Sequence, residues 1–334
     1  QFMYNSAATY MCSAIVQKLT GQTVLDFLTP RLFTPLGISG MRWESCPRGI
    51  NTGGWGLSIQ TEGLAKFGQL LLQKGKWQGR QIISSAWIDE ATSFHIQQPG
   101  GDKPDRPKAK NDWLQGYGYQ FWRCQGTAFR GDGAFGQFTI VLPEQDAVIV
   151  MTSENKNMQG QLDLVWKHLL PAFGAKPSET ADLSAMKKLK LLPPQGSKSS
   201  AIQPVKPFKL EANDYGLSQI SLALSDKACV LSVDGHSISC GWETWQLGET
   251  ALPMSVVRVA MTSKSDAVFK VAAHATWTDP QTLLITLRYI ETPHSDTLTC
   301  SFDGDEITLT LRDSITAMNP KGKDSRVPLK GRAS

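Results

Sequence analysis

The chain has 334 residues, 41% of them hydrophobic and 19% charged, with a formal charge of +4 at pH 7. That length gives room for two domains and more than one core, and the balance is that of a soluble globular protein. The small charge, with no basic stripe interleaved with aromatics, argues against a nucleic-acid partner, and apolar runs such as 147–151 are far too short to span a bilayer.

The chain opens Gln-Phe-Met-Tyr-Asn-Ser, without an initiator methionine. The spacing predicts a helix over 7–28, with Met11, Ile15 and Leu19 on one face, Cys12 as a small core residue and Gly21 as a stop. A second helix is expected over 61–74, with Leu64, Phe67 and Leu71 on its apolar face, Thr61 as N-cap and Gly75 at its end. A shorter helix follows over 84–92. Three antiparallel strands read out over 128–131, 137–142 and 147–152, with Pro143-Glu144-Gln145-Asp146 as a turn. Leu162, Val165, Trp166 and Leu169 give a closing helix.

The texture then changes. Residues 176–207, rich in Pro, Lys and Ser, read as a linker holding a short helical stretch over 184–191. From 208 to 334 the chain reads as an all-β accessory domain, an antiparallel barrel or sandwich. Strands are expected over 220–224, 268–273, 283–287, 297–302 and 307–311, with turns at Asp234-Gly235, Asp279-Pro280 and Asp303-Gly304. Cys229, Cys240 and Cys300 fall on strands there, and a disulfide between two of them is left open. Among the six cysteines there is no CxxC pair, and no Cys/His cluster has zinc spacing, so neither metal nor cofactor is expected. The histidines are scattered and form no triad with Ser and Asp. Trp242 and Trp245 read as packing residues, with a sugar or lipid site as the alternative.

Three stretches carry chemistry as a set. They are Phe2-Met3-Tyr4-Asn5-Ser6, then Asn51-Thr52-Gly53-Gly54-Trp55-Gly56-Leu57-Ser58, then Tyr117 to Trp122 with Gly131-Asp132-Gly133-Ala134-Phe135-Gly136. Their order and spacing resemble the C-terminal half of the serine β-lactamase and penicillin-binding-protein-like hydrolases, in the branch of class C-type esterases and 6-aminohexanoate-dimer hydrolases. The resemblance covers residues 1–173 and implies an α/β fold, antiparallel sheet with helices, as a partial domain over 1–175. It implies an acyl-enzyme reaction on a small ester or amide, and it favours a periplasmic or secreted protein. It says nothing of oligomeric state.

Residue by residue, the resemblance makes Tyr4 the general acid/base that works with a lysine on a serine nucleophile. Ser6 stands at a substrate-contacting position where the family often has Asn, with Asn5 as a partial replacement. Gly131-Asp132-Gly133 takes the Lys-Thr-Gly position without its lysine. Asp132 there is either a charge for substrate or a solvated turn residue. The Ala134 N–H would give one oxyanion donor, and Trp55 would wall the site or pack its own loop.

The nucleophilic Ser-x-x-Lys is expected upstream of the tyrosine. The two matches in the chain, at Ser153 and Ser184, both follow it. The expectation is thus a fragment of a serine hydrolase, inactive by itself. The alternatives are a non-catalytic binding protein on the same scaffold and a peptidase for D-amino-acid peptides.

Overall fold

A computed structural model describes residues 2–103, 105–175, 184–202, 204, 206–252, 254, 268–318 and 322–334. The chain divides into two compact units, Gln1–Glu179 and Thr180–Ser334.

In the first unit Asn5 is extended and its side chain accepts the Ala7 N–H at 2.9 Å, capping α1 (Ser6–Thr20). Gly21 turns left-handed, φ +72°, and its N–H bonds the Gln17 carbonyl. The helix expected over 7–28 is therefore two helices. Thr23 caps a fresh start, and α2 (Val24–Leu28) runs on into a wider turn over Thr29–Phe33. The burial of α1 also reverses the expectation. Its buried residue is Ser13, whereas Met11, Ile15 and Leu19 are all more than half exposed. Cys12 is exposed too, not a core residue.

Downstream, β1 (Arg42–Trp43) pairs with β2 (Leu57–Ser58) and brackets a loop. In α3 (Thr61–Leu72) the cap position belongs to Gln60. Thr61 is the first helical residue, and its hydroxyl bonds that of Thr152 at 2.9 Å instead. A small hairpin of β3 (Lys76–Trp77) and β4 (Arg80–Gln81) leads to α4 (Ser85–Thr92), capped by Ser84.

Strands β5 (Trp122–Arg123), β6 (Phe129–Gly133), β7 (Gln137–Leu142) and β8 (Ala147–Met151) then form one antiparallel sheet in chain order. Strand alternation sends Phe138, Ile140 and Leu142 to a core with Leu162 and Val165, on and just beyond α5 (Met158–Leu164). It sends Phe129 and Val141 to a core with Leu71 and Ile88 on α3 and α4. Helices thus cover both faces of the sheet, as its two apolar faces require. Strand β8 is an edge, with no strand beyond it among the described residues.

In the second unit, the stretch read as linker holds α6 (Ser184–Lys187), and Ser197 exchanges both backbone hydrogen bonds with Trp277. The remaining strands are β9 (Phe208–Leu210), β10 (Gln219–Leu224), β11 (Ala228–Val233), β12 (His236–Gly241), β13 (Gln246–Thr250), β14 (Phe269–Asp279), β15 (Thr282–Tyr289), β16 (His294–Asp303), β17 (Glu306–Asp313) and β18 (Leu329–Ala333). They form one sheet in the order 12-11-10-9-18-17-16-15-14-13, closed by a parallel bridge from Gly241 on β12 to His274 on β14. Of the barrel and the sandwich, the chain adopts the closed barrel.

Asp234 and Gly235, φ +43° and +84°, make the two-residue turn that matches strand twist between β11 and β12. A short helix, α7 (Ser314–Met318), follows β17. Cys229 and Cys240 are cross-strand neighbours, yet they and Cys300 are buried and free. Burial pushes the Cys229 thiol up to about 12, so it packs as a small apolar group. Trp242 is buried with its indole N–H on the Ser225 carbonyl at 2.8 Å, and the Trp245 indole N–H meets the Leu191 carbonyl at 2.9 Å. Both bonds fit the packing reading.

The barrel also holds a buried charge cluster. Arg326 grips Asp324 with two guanidinium nitrogens, at 2.9 and 2.6 Å, and reaches Asp296 on β16 at 2.8 Å. Its remaining nitrogen donates to the Met254 carbonyl at 2.8 Å. Burial opposes the Asp324 charge, but the Arg326 guanidinium and the Arg326 and Asp313 backbone N–H groups overcome it and hold this carboxyl well below the usual range. Its contribution to stability is present above about pH 4, the ordinary carboxylate value, and is lost as pH falls through the depressed value. Melts by circular dichroism are expected to show a barrel transition that weakens below about pH 4. In Asp324→Asn that acid dependence should shrink. An unchanged acid limb would assign it elsewhere.

Candidate active site

The three stretches singled out in the sequence converge. Tyr4, just before α1, stacks on Trp122 of β5 with ring centroids 5.8 Å apart, and meets Tyr117 edge-on at 6.4 Å. Phe2 lies against Tyr117 at 5.1 Å. Trp122 is the register partner of Arg130 on β6, so the Tyr4 ring is referenced to the strand that ends in Gly131-Asp132-Gly133. Gln120 ties the same segment to α1, its amide donating to the Thr9 hydroxyl at 2.9 Å. The middle stretch arrives through glycine. A Cβ on Gly54 would lie 2.8 Å from the Ser6 carbonyl oxygen, so only glycine lets this loop close on the first turn of α1. Ser6 is thereby half-buried under the loop.

The Asn5 side-chain oxygen is taken up in capping α1, where it accepts the Ala7 N–H. Trp55 is half exposed. Its carbonyl, not its ring, holds the loop, accepting from the Trp43 indole at 2.9 Å and the Thr52 hydroxyl at 2.6 Å.

Asp132 is not a solvated turn residue. Its side chain is 6% exposed and lies 2.9 Å from Nη2 of Arg130, whose own side chain is fully buried. Two residues apart on one strand, they share a face. Burial pushes the Asp132 carboxyl up while the Arg130 charge pulls it back. Arg130 is further enclosed by the faces of Trp113, at 4.8 Å, and Trp122, at 5.8 Å, and donates to the Asp112 carbonyl at 3.1 Å. The Asp112 carboxylate in turn accepts the Trp166 indole N–H and the Gln159 amide at 2.6 Å, which fastens α5 to the site. The cation at this strand is thus neutralised by its neighbour, and burial raises the nearby Tyr117 phenol to about 12.

Ala134 opens the turn between β6 and β7 and is exposed. Its carbonyl accepts from the Gln137 amide at 3.1 Å, and no described backbone carbonyl takes its N–H. Gly136, φ +87°, completes the turn. A Cβ there would sit 1.9 Å from Gln161 Oε1 and 2.6 Å from the Ser153 hydroxyl. Gly136→Ala combines left-handed strain with that overlap and is expected to lower stability by about 2–3 kcal/mol. A urea titration checks this, and a cost below 0.5 kcal/mol would mean that the turn is slack.

Ser153 is built into the same turn, its hydroxyl donating toward the Phe135 and Gly136 carbonyls and accepting from the Gln161 amide at 2.9 Å. It follows a strand end and heads no helix. Ser184 heads a four-residue helix in the other unit.

Sequence reasoning set Tyr117 and Trp122 in one of the three stretches without giving either a role, and passed over Arg130, whose signal was a single charge directly after the apolar pair Ala128-Phe129. Among the described residues no group of three His, Cys, Asp or Glu side chains is placed to hold a metal, and no helix is long and apolar enough to cross a membrane.

The first unit, a four-stranded antiparallel sheet with helices on both faces, is a serine-hydrolase-like scaffold by its match to a family model. The chain belongs to the β-lactamase family, whose model matches residues 1–169. Among solved structures it is similar to a protein from Bacillus anthracis described as a 6-aminohexanoate-dimer hydrolase, at 22% identity and TM-score 0.42, over 52% of this chain and 45% of that one. It is similar to one from Bacteroides dorei DSM 17855 described as a β-lactamase, at 14% identity and TM-score 0.37, over 47% of this chain and 52% of that one. It is also similar to the octameric penicillin-binding protein homologue from Pyrococcus abyssi, at 11% identity and TM-score 0.32, over 99% of this chain and 65% of that one. The chain therefore spans less than two thirds of the length of each. No curated protein matches it.

Proposed function

We propose that this chain carries the tyrosine and oxyanion side of a serine hydrolase that cleaves an ester or amide through an acyl-enzyme, with the Ser-x-x-Lys nucleophile supplied by residues N-terminal to it. The observation that carries the reading is the stack of Tyr4 on Trp122, the register partner of Arg130 on β6, the strand that ends at Gly133 just before Ala134. In this reading the serine attacks the carbonyl while its lysine and Tyr4 move the proton. The Ala134 N–H shares the oxyanion with the N–H of the serine, and water releases the acid. Ser6, Trp55, Gly131 and Gly133 line the substrate path, and Asp132 acts through its pair with Arg130.

Three features support an external nucleophile. Ser153 is bonded into a turn, and Ser184 stands on a four-residue helix. No described lysine or arginine bonds the Tyr4 hydroxyl, whereas a phenolate needs a nearby cation. The apolar row Met11, Ile15, Leu19 on α1 and the edge of β8 are open surfaces of the kind another segment covers. The neutralised Arg130–Asp132 pair leaves no free cation on β6 for a substrate carboxylate, which favours an ester or amide over a D-amino-acid peptide.

The chain alone is expected to give no nitrophenyl-ester or nitrocefin turnover above background. A product extended upstream should label with a fluorophosphonate on the serine of a Ser-x-x-Lys. Turnover by the chain alone that survives Ser153→Ala and Ser184→Ala would overturn the external nucleophile. An upstream sequence lacking the motif would leave a binding protein as the reading.

A further inference from the structure

Two residues past Tyr117, the chain enters a second ring cluster. Tyr119 stacks parallel on His95, centroids 4.3 Å apart at 5°, and tilts against Trp87 at 5.6 Å. Its hydroxyl donates to Oε1 of Glu90 at 3.0 Å, and its N–H bonds the Ala91 carbonyl at 2.8 Å. Trp87 and Glu90 stand three apart on α4 and share a face. The rings are not needed to seat that helix, whose Ile88, Ala91 and Thr92 are the buried residues. Trp87 is 54% exposed and Tyr119 44%, and the Glu90 side chain is 53% exposed.

We propose that Trp87, Tyr119 and Glu90 form a binding site for an alkylammonium group, independent of the hydrolase reading. An aromatic face carries negative potential and attracts a cation, and a carboxylate in the same patch adds to it. No described lysine or arginine satisfies Glu90. The neighbouring Asp89 is paired with Lys74, and the His95 ring nitrogen, 3.6 Å from Glu90 Oε1, also bonds the Glu90 carbonyl. One carboxylate oxygen already takes the Tyr119 hydroxyl, so the two-pronged grip that suits a guanidinium is half used. The remaining oxygen fits the point charge of an ammonium, with its alkyl stem along the indole.

The test is a titration of the intact chain with butylammonium chloride in low salt at pH 8, followed by the Trp87 indole N–H resonance, which is assigned by its absence in Trp87→Phe. A saturable shift is expected, weakened by added salt and absent with 1-butanol. Glu90→Gln and Tyr119→Ala are each expected to weaken binding roughly two- to fivefold, with the melting curve unchanged because these side chains are half in water. A shift that does not saturate, an equal response to butanol, or undiminished binding by Glu90→Gln would each overturn the proposal.

Discussion

Tyr4→Phe, in a product that also carries a Ser-x-x-Lys helix, is expected to lower kcat/KM for a nitrophenyl ester by about 10²–10⁴-fold, the usual range for a lost acid/base group. The loss should fall on kcat, since the phenol moves a proton rather than holding substrate. Phenylalanine keeps the ring, so the stack on Trp122 and the edge contact to Tyr117 persist. Tyr4 is 53% exposed, so deleting its hydroxyl strands no buried partner, and the melting temperature should not move. Trp122→Leu gives the contrasting result. It removes the surface under Tyr4 and one face of the Arg130 enclosure, so both stability and rate should fall. A Tyr4→Phe loss of less than tenfold would remove this residue from the proton path.

The second large effect is in the barrel. Arg326→Met is expected to cost about 3–5 kcal/mol, because it leaves buried carboxylates without their cation. Asp296 is 1% exposed at its side chain, and Asp324 loses both arms of its grip. For a unit of this size the barrel transition should drop by roughly 10 °C. Arg326→Lys keeps a charge but not the planar fork, and should fall between the two. Adding Asp324→Asn to Arg326→Met should recover part of the loss, since one stranded charge is then gone. Urea melts read by far-ultraviolet circular dichroism would decide this. A cost under about 1 kcal/mol would mean that the carboxylates find water or take up protons at little expense.

Long periodic elements were legible before any coordinates. The strands over 137–142 and 147–151 alternate or run apolar and are bounded by turn residues, and Asp234-Gly235 marks its hairpin by chemistry alone. Strands β9, β13 and β18 were not read. Gln-Leu-Gly-Glu-Thr and Leu-Lys-Gly-Arg-Ala have weak strand preference, and neighbours on both sides decide their state. One cap assignment differs, at the start of α3, where Gln60 holds the cap position without a side-chain cap bond. Thr61 looks like a cap, but its hydroxyl serves Thr152 instead.

The sequence by itself determined the family-like order of the three stretches, the placing of Tyr4 ahead of a helix and the all-β character of the last third. These rest on local chemistry, namely turn residues, spacing and periodicity. Tertiary structure alone decided that Asp132 is a buried partner of Arg130, that α1 turns Met11, Ile15 and Leu19 outward, and that ten strands close into a barrel rather than split into two sheets. Burial and pairing depend on which distant residues arrive at a surface. An arginine between two tryptophan faces or a helix stripe without a cover has the same local sequence whether or not those residues come.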